Sequence, residues 1–209
     1  MKSLLIGITG EMGSGKSLLS SFFEKKGIPV YSSDKRSKFL MNQTKNIKEN
    51  IIKFFGNKSY KNNKINKTFL SKKVFQDKDS HALKLLCTIV YPWILLDFKN
   101  WFFSQKTLFS IKESALLFES GSYKECDLII TINTPLKKRI ERIIKRDKLS
   151  EKQIMNRIKI QIPDKEKEKH SDIIIKNDQN ISFLQKEAET ISNKIIQNIF
   201  KYGKRGQKN

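Results

Sequence analysis

Apolar positions along this chain follow two rhythms, and their alternation predicts the fold. Unbroken apolar stretches of strand length occur at Leu4–Thr9, at Ile28–Tyr31 with Pro29 near its start, at Asp127–Ile132 and at Asp172–Lys176. Runs this short and this continuous fit strands buried on both faces, as in a parallel sheet. Thr107–Ile111 and Ser114–Phe118 read as one irregular strand or a broken pair.

The second rhythm is helical. Ser17–Lys25 is a first helix closed by Gly27, and another opens at Ser32-Ser33-Asp34. From there to about Gln105 no strand is evident. Leu83, Leu86, Ile89, Val90 and Trp93, then Leu96 and Phe98, mark helical faces broken near Pro92, and residues 56–68 read as a polar loop. Trp93, Phe98, Trp101, Phe102 and Phe103 are expected in a core, with room for one or two to line a cleft. Pro135 starts a helix with the stripe Leu136, Ile140, Ile143 and Ile144. Ser150 and Gln153 have capping-box spacing, so a separate helix begins there and carries Arg157 and Gln161. A final helix runs from Ile181 to about Tyr202, followed by a basic tail. Strand–helix alternation of this kind predicts an α/β fold: a parallel five-stranded sheet flanked by helices, with a helical insertion.

The segment between the first strand and the first helix changes this from a fold to a chemistry. Gly10-Glu11-Met12-Gly13-Ser14-Gly15-Lys16-Ser17 is G-x-x-x-x-G-K-[ST], the phosphate-binding P-loop, in its required strand–loop–helix setting. Gly10, Gly13 and Gly15 let the backbone curl so that amides, those of Met12 and Ser14 included, surround an anion, helped by the dipole of the helix that follows. Lys16 is placed for the β- and γ-phosphates of ATP, and the Ser17 hydroxyl for Mg²⁺. No N-K-x-D or D-x-x-G occurs to make a GTPase, nor an LSGGQ-like run for a transporter ATPase. A small P-loop kinase with a helical acceptor-binding insertion and a helical lid remains.

Composition narrows the partners. The 209 residues carry a formal charge of +21, but 36 of the basic residues are Lys and only 6 are Arg. The lysines are scattered rather than gathered into an aromatic-lined stripe, so no specific nucleic-acid partner is expected. Arg139, Arg142, Arg146 and Arg157 cluster, which suggests bidentate work on phosphate that Lys does poorly. No apolar run approaches roughly 18 residues, so no membrane span is expected. The short leading apolar run enters the P-loop directly, unlike a signal peptide. Cys87 and Cys126 form no C-x-x-C, and His81 and His170 no ligand cluster, which favours a cytoplasmic chain without structural zinc. A monomer is compatible with all of this.

Longer stretches then carry a family resemblance: GITGEMGSGKS, IPVYSSD, IVYPWI, ALLFES, CDLIITINTPLKKRIERIIKRDKLSEKQIMNRIKIQ and HSDIIIKND, in that order. Across nearly its whole length the chain resembles the dephospho-coenzyme A kinase family. It departs from the family's usual pattern at Ser32, where D-x-D is typical, at Tyr91, where H-P is typical, and at Ala115, where a proline is typical. The resemblance implies transfer of the γ-phosphoryl group of ATP to the 3′-hydroxyl of the ribose of dephospho-coenzyme A, the last step of coenzyme A synthesis. It implies one domain over residues 1–203: a nucleotide core at about 1–34 and 107–203, an acceptor-binding insertion at about 35–106, and a lid at about 136–162. Residues 204–209 form the tail.

Asp34, at the carboxyl end of the second strand, is the implied catalytic residue and contacts the acceptor hydroxyl. From sequence alone it could equally cap the next helix. Glu119, taken as a strand-exit carboxylate, is implied in contact with acceptor or Mg²⁺. Arg139 is implied as a lid arginine on the phosphates, and Asn177 lies at the family position near the adenine. Two alternatives stay open: a kinase for another small hydroxyl acceptor, of nucleoside or shikimate type, and a nucleic-acid-associated P-loop ATPase.

Overall fold

The computed structural model describes residues 3–75 and 81–199. The expected basic tail, and the expected end of the last helix near Tyr202, lie outside these residues. Two compact units divide the chain: one from the N-terminal side up to Ser32 and from Ser104 onward, the other Ser33–Phe103.

In chain order, β1 (Leu4–Thr9), α1 (Lys16–Lys25) and β2 (Val30–Ser32) begin the first unit. The second unit holds α2 (Ser33–Gln43), α3 (Lys45–Phe55), β3 (Tyr60–Lys61), β4 (Lys64–Ile65), α4 (Lys67–Phe75) and α5 (His81–Phe103). The first unit resumes with β5 (Phe109–Glu113), β6 (Leu128–Asn133), α6 (Leu136–Asp147), α7 (Glu151–Ile158), α8 (Asp164–Glu168), β7 (Ile173–Lys176) and α9 (Ile181–Gln197).

The first unit is built on a five-stranded sheet in the order β2-β5-β1-β6-β7, every neighbouring pair parallel. Alternate strand positions serve opposite faces. Leu128, Ile130 and Ile132 of β6 join Ile6, Ile8, Ile111 and Ile175 in one core with Leu19 and Phe23 of α1 and Leu184, Ala188 and Ile191 of α9. Ile129, one residue out of phase, packs instead with Leu117 and Phe118. Consecutive apolar residues in a buried strand are explained by these two covers. Because all strands run one way, their carboxyl ends collect on one edge: Gly10 after β1, Ser32 in β2, Glu113 in β5, Thr134 after β6 and Asn177 after β7.

The structure corrects four sequence expectations. The apolar run ALLFE is not a strand: β5 ends at Glu113, and residues 115–121 form turns, with the Ser114 hydroxyl accepting from Leu116 N at 3.2 Å. Leu117 and Phe118 mimicked a strand because both are buried from within that turn. Residues 56–68 include a β3–β4 hairpin, whose two-residue loop puts Asn62 and Asn63 at positive φ, a conformation Asn tolerates. Gln161 lies beyond α7 instead of within it.

Finally, α5 passes through Pro92 unbroken. The lost proline N–H costs one helical bond, while both halves are held by packing on α2, α3 and α4. At 23 residues, with an 18-residue window of mean hydropathy 1.3, α5 is long and apolar enough by length and composition to cross a membrane. Pro92 in its middle hides that length in the sequence pattern. Within the helical unit its Asp97 carboxylate accepts two bonds from Arg36 of α2, and Val90 and Phe98 are its buried residues. Of the expected aromatic core group, Phe98 is buried and stacks on Phe102, whereas Phe103 is exposed.

The capping box forms as expected: Ser150 N donates to Gln153 Oε1 at 2.9 Å and Gln153 N donates to Ser150 Oγ at 3.4 Å. Beyond α7 the chain turns back to the β1–α1 loop. Glu11 N donates to Asp164 Oδ1 and Asp164 N donates to Glu11 Oε1, each at 3.1 Å. Burial, and then the charge of Glu11, push the Asp164 carboxyl up from 3.8 to about 6, against the opposing pull of Lys167 and Arg139. The folded chain therefore holds this proton more tightly than the unfolded chain. That contribution to stability is complete below about pH 4 and disappears as pH rises through about 6. Asp164→Asn keeps the acceptor and cannot ionise. Urea unfolding of both chains at pH 4.5 and 7.5 should show the variant gaining on the wild type with rising pH, by on the order of 1 kcal/mol after solvent screening. A pH-independent difference would reject this assignment.

Candidate active site

Each bend of the β1–α1 loop is fixed by a contact that would exclude a side chain. Gly10 has φ 143°, and a Cβ there would lie 2.3 Å from the Ile132 carbonyl oxygen. Gly15 has φ 106° and would place a Cβ 2.5 Å from Asn177 Nδ2. Glycine alone meets both demands, a left-handed backbone and no side chain.

The loop's outward groups are taken by its neighbours. Met12 N donates to Gln161 Oε1 at 3.0 Å, and Gln161 Nε2 donates onward to Ala115 O at 3.2 Å. Ser14 O accepts from Asn177 Nδ2 at 2.7 Å and from Thr134 Oγ1 at 3.0 Å. Glu11 forms a buried ion pair with Arg139, whose Nε also donates to Thr134 O at 3.0 Å. By contrast, among the described residues nothing accepts from the amides of Gly13, Gly15 and Ser17. Amides left over at a helix N-terminus form a cradle for an anion.

Lys16 is buried, and its Nζ donates to Gly10 O at 2.9 Å and Glu11 O at 3.1 Å. It lies folded across the loop it would serve. Ser17, exposed in the first turn of α1, donates its hydroxyl to Glu113 Oε1 at 3.1 Å, and Ser32 Oγ donates to Glu113 Oε2 at 2.6 Å. Hard oxygen donors of this kind suit Mg²⁺, which uses few protein ligands together with phosphate and water. No three His, Cys, Asp or Glu side chains among the described residues form a metal-sized cluster.

The structure thus joins Gly10, Met12, Gly13, Ser14, Gly15, Lys16, Ser17, Arg139 and Asn177 in one assembly, but with some altered duties. Arg139, expected over the phosphates, is spent on Glu11 and Thr134 in this state. Asn177 braces the loop through Ser14. Glu119 is not at a strand exit: it lies in the turns after β5, its Oε1 accepting from Ile162 N at 2.8 Å and standing 3.6 Å from the fully buried Lys167 Nζ. The arginine cluster divides, with Arg139 buried and Arg146 turned outward on Asp147.

Asp34 belongs to the helical unit, in the first turn of α2 two residues after β2. Its carboxylate is exposed and makes no hydrogen bond or ion pair among the described residues, so it caps nothing. Sequence reasoning missed Glu113, Thr134, Asp164 and Lys167. Glu113 alone had a signal, a carboxylate at a strand's carboxyl end, and the false continuation of that strand hid it.

Comparison with known proteins agrees with this geometry. The family model described as dephospho-CoA kinase matches residues 4–182. A dephospho-CoA kinase of Bacteroides fragilis is 37% identical over 177 residues, covering 84% of this chain and 85% of that protein. One from Fusobacterium nucleatum is 35% identical over 190 residues, covering 90% and 97%. The solved structure of the dephospho-CoA kinase from Campylobacter jejuni superposes with a TM-score of 0.64 at 29% identity, covering 91% of this chain and 96% of that one. With a matched family model running from β1 through the first residues of α9, and relatives aligned over most of their length, the chain belongs to the dephospho-CoA kinase family.

Proposed function

We propose that this chain catalyses ATP-dependent phosphorylation of the 3′-hydroxyl of the ribose of dephospho-coenzyme A, giving coenzyme A and ADP. The observation that carries the reading is the P-loop amide cradle, with Lys16 and Ser17 at its mouth, in a chain whose family model spans residues 4–182. In such a transfer the protein has little bond-making of its own to do; it positions the reactants and neutralises charge. The amides of Gly13, Gly15 and Ser17 hold the phosphates. Lys16 exchanges two neutral carbonyl partners for phosphate oxygens, a stronger charge-assisted pairing. Mg²⁺, held by Ser17 and the nucleotide, would supply Lewis-acid neutralisation of charge on the transferring group.

Asp34 accepts the proton of the acceptor hydroxyl. An exposed carboxylate with no partner among the described residues is available for that work. Arg139 keeps the loop in shape through Glu11 and has a second amino group to offer the nucleotide. Asn177 contributes by holding Ser14, close to where the adenine is expected. Glu119 serves the acceptor side through the turns that follow β5. The helical unit, with α5 as its central packed helix, receives the acceptor, and the chain works as a cytoplasmic monomer without nucleic acid or membrane.

A coupled ADP-release assay across dephospho-coenzyme A, shikimate and nucleosides tests the substrate. Turnover confined to dephospho-coenzyme A is expected, and turnover only with another acceptor would replace this reading by the corresponding kinase. Lys16→Ala should lower turnover by at least about a hundredfold, and a Tm depressed as far as by a core truncation would show that its two carbonyl contacts are structural. Asp34→Asn should leave ATP affinity near normal. It should change stability by no more than about 1 kcal/mol, the worth of a charge at a helix N-terminus. Turnover should fall by roughly two to four orders of magnitude. Wild-type turnover in that variant would remove Asp34 from the mechanism.

A further inference from the structure

Glu11 fills an unspecified position of the phosphate-loop motif, yet every polar atom it has is engaged. Its carbonyl accepts from Ser14 N and from Lys16 Nζ, each at 3.1 Å. Its amide donates to Asp164 Oδ1, and its Oε1 accepts from Asp164 N, again at 3.1 Å each. Its Oε2 takes the ion pair with Arg139. A carboxylate within a loop that receives phosphate has the wrong sign for its ligand, so its neighbours decide what it costs.

Those neighbours are enclosed and short of positive charge. Glu11, Asp164 and Arg139 are buried, and Lys167 is fully so. The charged groups acting on Asp164 are Glu11 from the loop, Lys167 from α8 and Arg139 from α6. Lys167 also stands 3.6 Å from Glu119 Oε1. Three carboxylates, Glu11, Asp164 and Glu119, thus face two cations, and none of the five has a further ion pair among the described residues. Enclosed like charges in excess favour taking up a proton. Asp164 is the member pushed that way, its carboxyl standing at about 6.

A nucleotide brings negative charge to the open side of the same loop, and its phosphates compete with Glu11 for the guanidinium of Arg139. Both effects leave the Glu11 and Asp164 carboxylates less well compensated. We propose that nucleotide binding is coupled to uptake of one proton by Asp164, with Glu11 as the positioning residue that relays the phosphate charge. The proton comes from solvent and goes to Asp164 Oδ2, while Oδ1 continues to accept from Glu11 N. No other bond is made or broken in the step. This rests on the kinase reading above and adds a proton to its binding equilibrium.

The test uses the full chain and titration calorimetry of ATP binding, with excess Mg²⁺ and without acceptor, at pH 7. Buffers of different ionisation enthalpy are compared, because the dependence of the heat on the buffer counts the protons taken up. Asp164→Asn measured alongside cancels the protons of the nucleotide itself. The wild type should take up more than this variant, by a measurable fraction and at most about one proton per ATP. That excess should shrink at pH 5, where Asp164 already holds its proton. Equal uptake in the two chains overturns the proposal, and so does an excess undiminished at pH 5, which would place the proton elsewhere. Glu11→Gln, which keeps an acceptor for Asp164 N and removes the like charge, should also take up less than the wild type. It serves alone if Asp164→Asn does not fold, and uptake equal to wild type in it overturns the relay. A wild-type chain that binds no ATP would overturn the kinase reading itself, an outcome distinct from binding without the extra proton.

Discussion

An anion cradle made of backbone requires amides to point at empty space, and everything else in the first unit compensates for that demand. A loop that turns Gly13, Gly15 and Ser17 inward cannot satisfy its remaining polar groups from within. Several are met from just after β6 by Thr134, from just after β7 by Asn177, and from the segment after α7 by Gln161 and Asp164. These four residues lie far from the loop in sequence, and each replaces water that a flexible loop would otherwise use. Buried polar groups held in this way are rigid because breaking any one bond leaves an unsatisfied partner behind. The buried pair of Glu11 and Arg139 extends the same principle to charge.

The parts of this structure legible in the sequence are those set by local pattern. Continuous apolar strands, the P-loop and the Ser150 capping box all follow from residues within a few positions of one another, and they appear where the pattern puts them. What the sequence concealed depends on distant partners. Leu117 and Phe118 look like strand residues, and only the presence of Ile129 beside them explains their burial in a turn. Pro92 looks like a helix end, and packing on three neighbouring helices overrides it. The site shows the same division. Lys16 and Ser17 could be named from their motif, while Glu113 acquires meaning only from the β2–β5 register, which no linear spacing encodes.

The carboxylates illustrate how one residue type is given different work by its surroundings. Asp164, buried against Glu11, is pushed toward the neutral form, and its side chain accepts from the Glu11 backbone. Glu113 is equally enclosed, but two hydroxyl donors hold it. Asp34 is exposed and without partners among the described residues. Three carboxylates thus sit in three settings: enclosed and shared, enclosed between hydroxyls, and open.

The placement of the helical unit in the chain has a kinetic consequence. It is spliced between β2 and β5, which are nearest neighbours in the sheet. Pairing those strands therefore closes a loop containing the whole of Ser33–Phe103, and the β1–β5 pairing spans it as well. As a disordered coil that loop would carry its full closure entropy, although each doubling of its length adds only about 0.6 kcal/mol. The insertion has its own core of Ile47, Ile51, Leu70 and Val90. Non-local strand pairing is slow because closure precedes reward. An insertion that collapsed first would shorten that closure, so the order of chain segments would become an order of folding events.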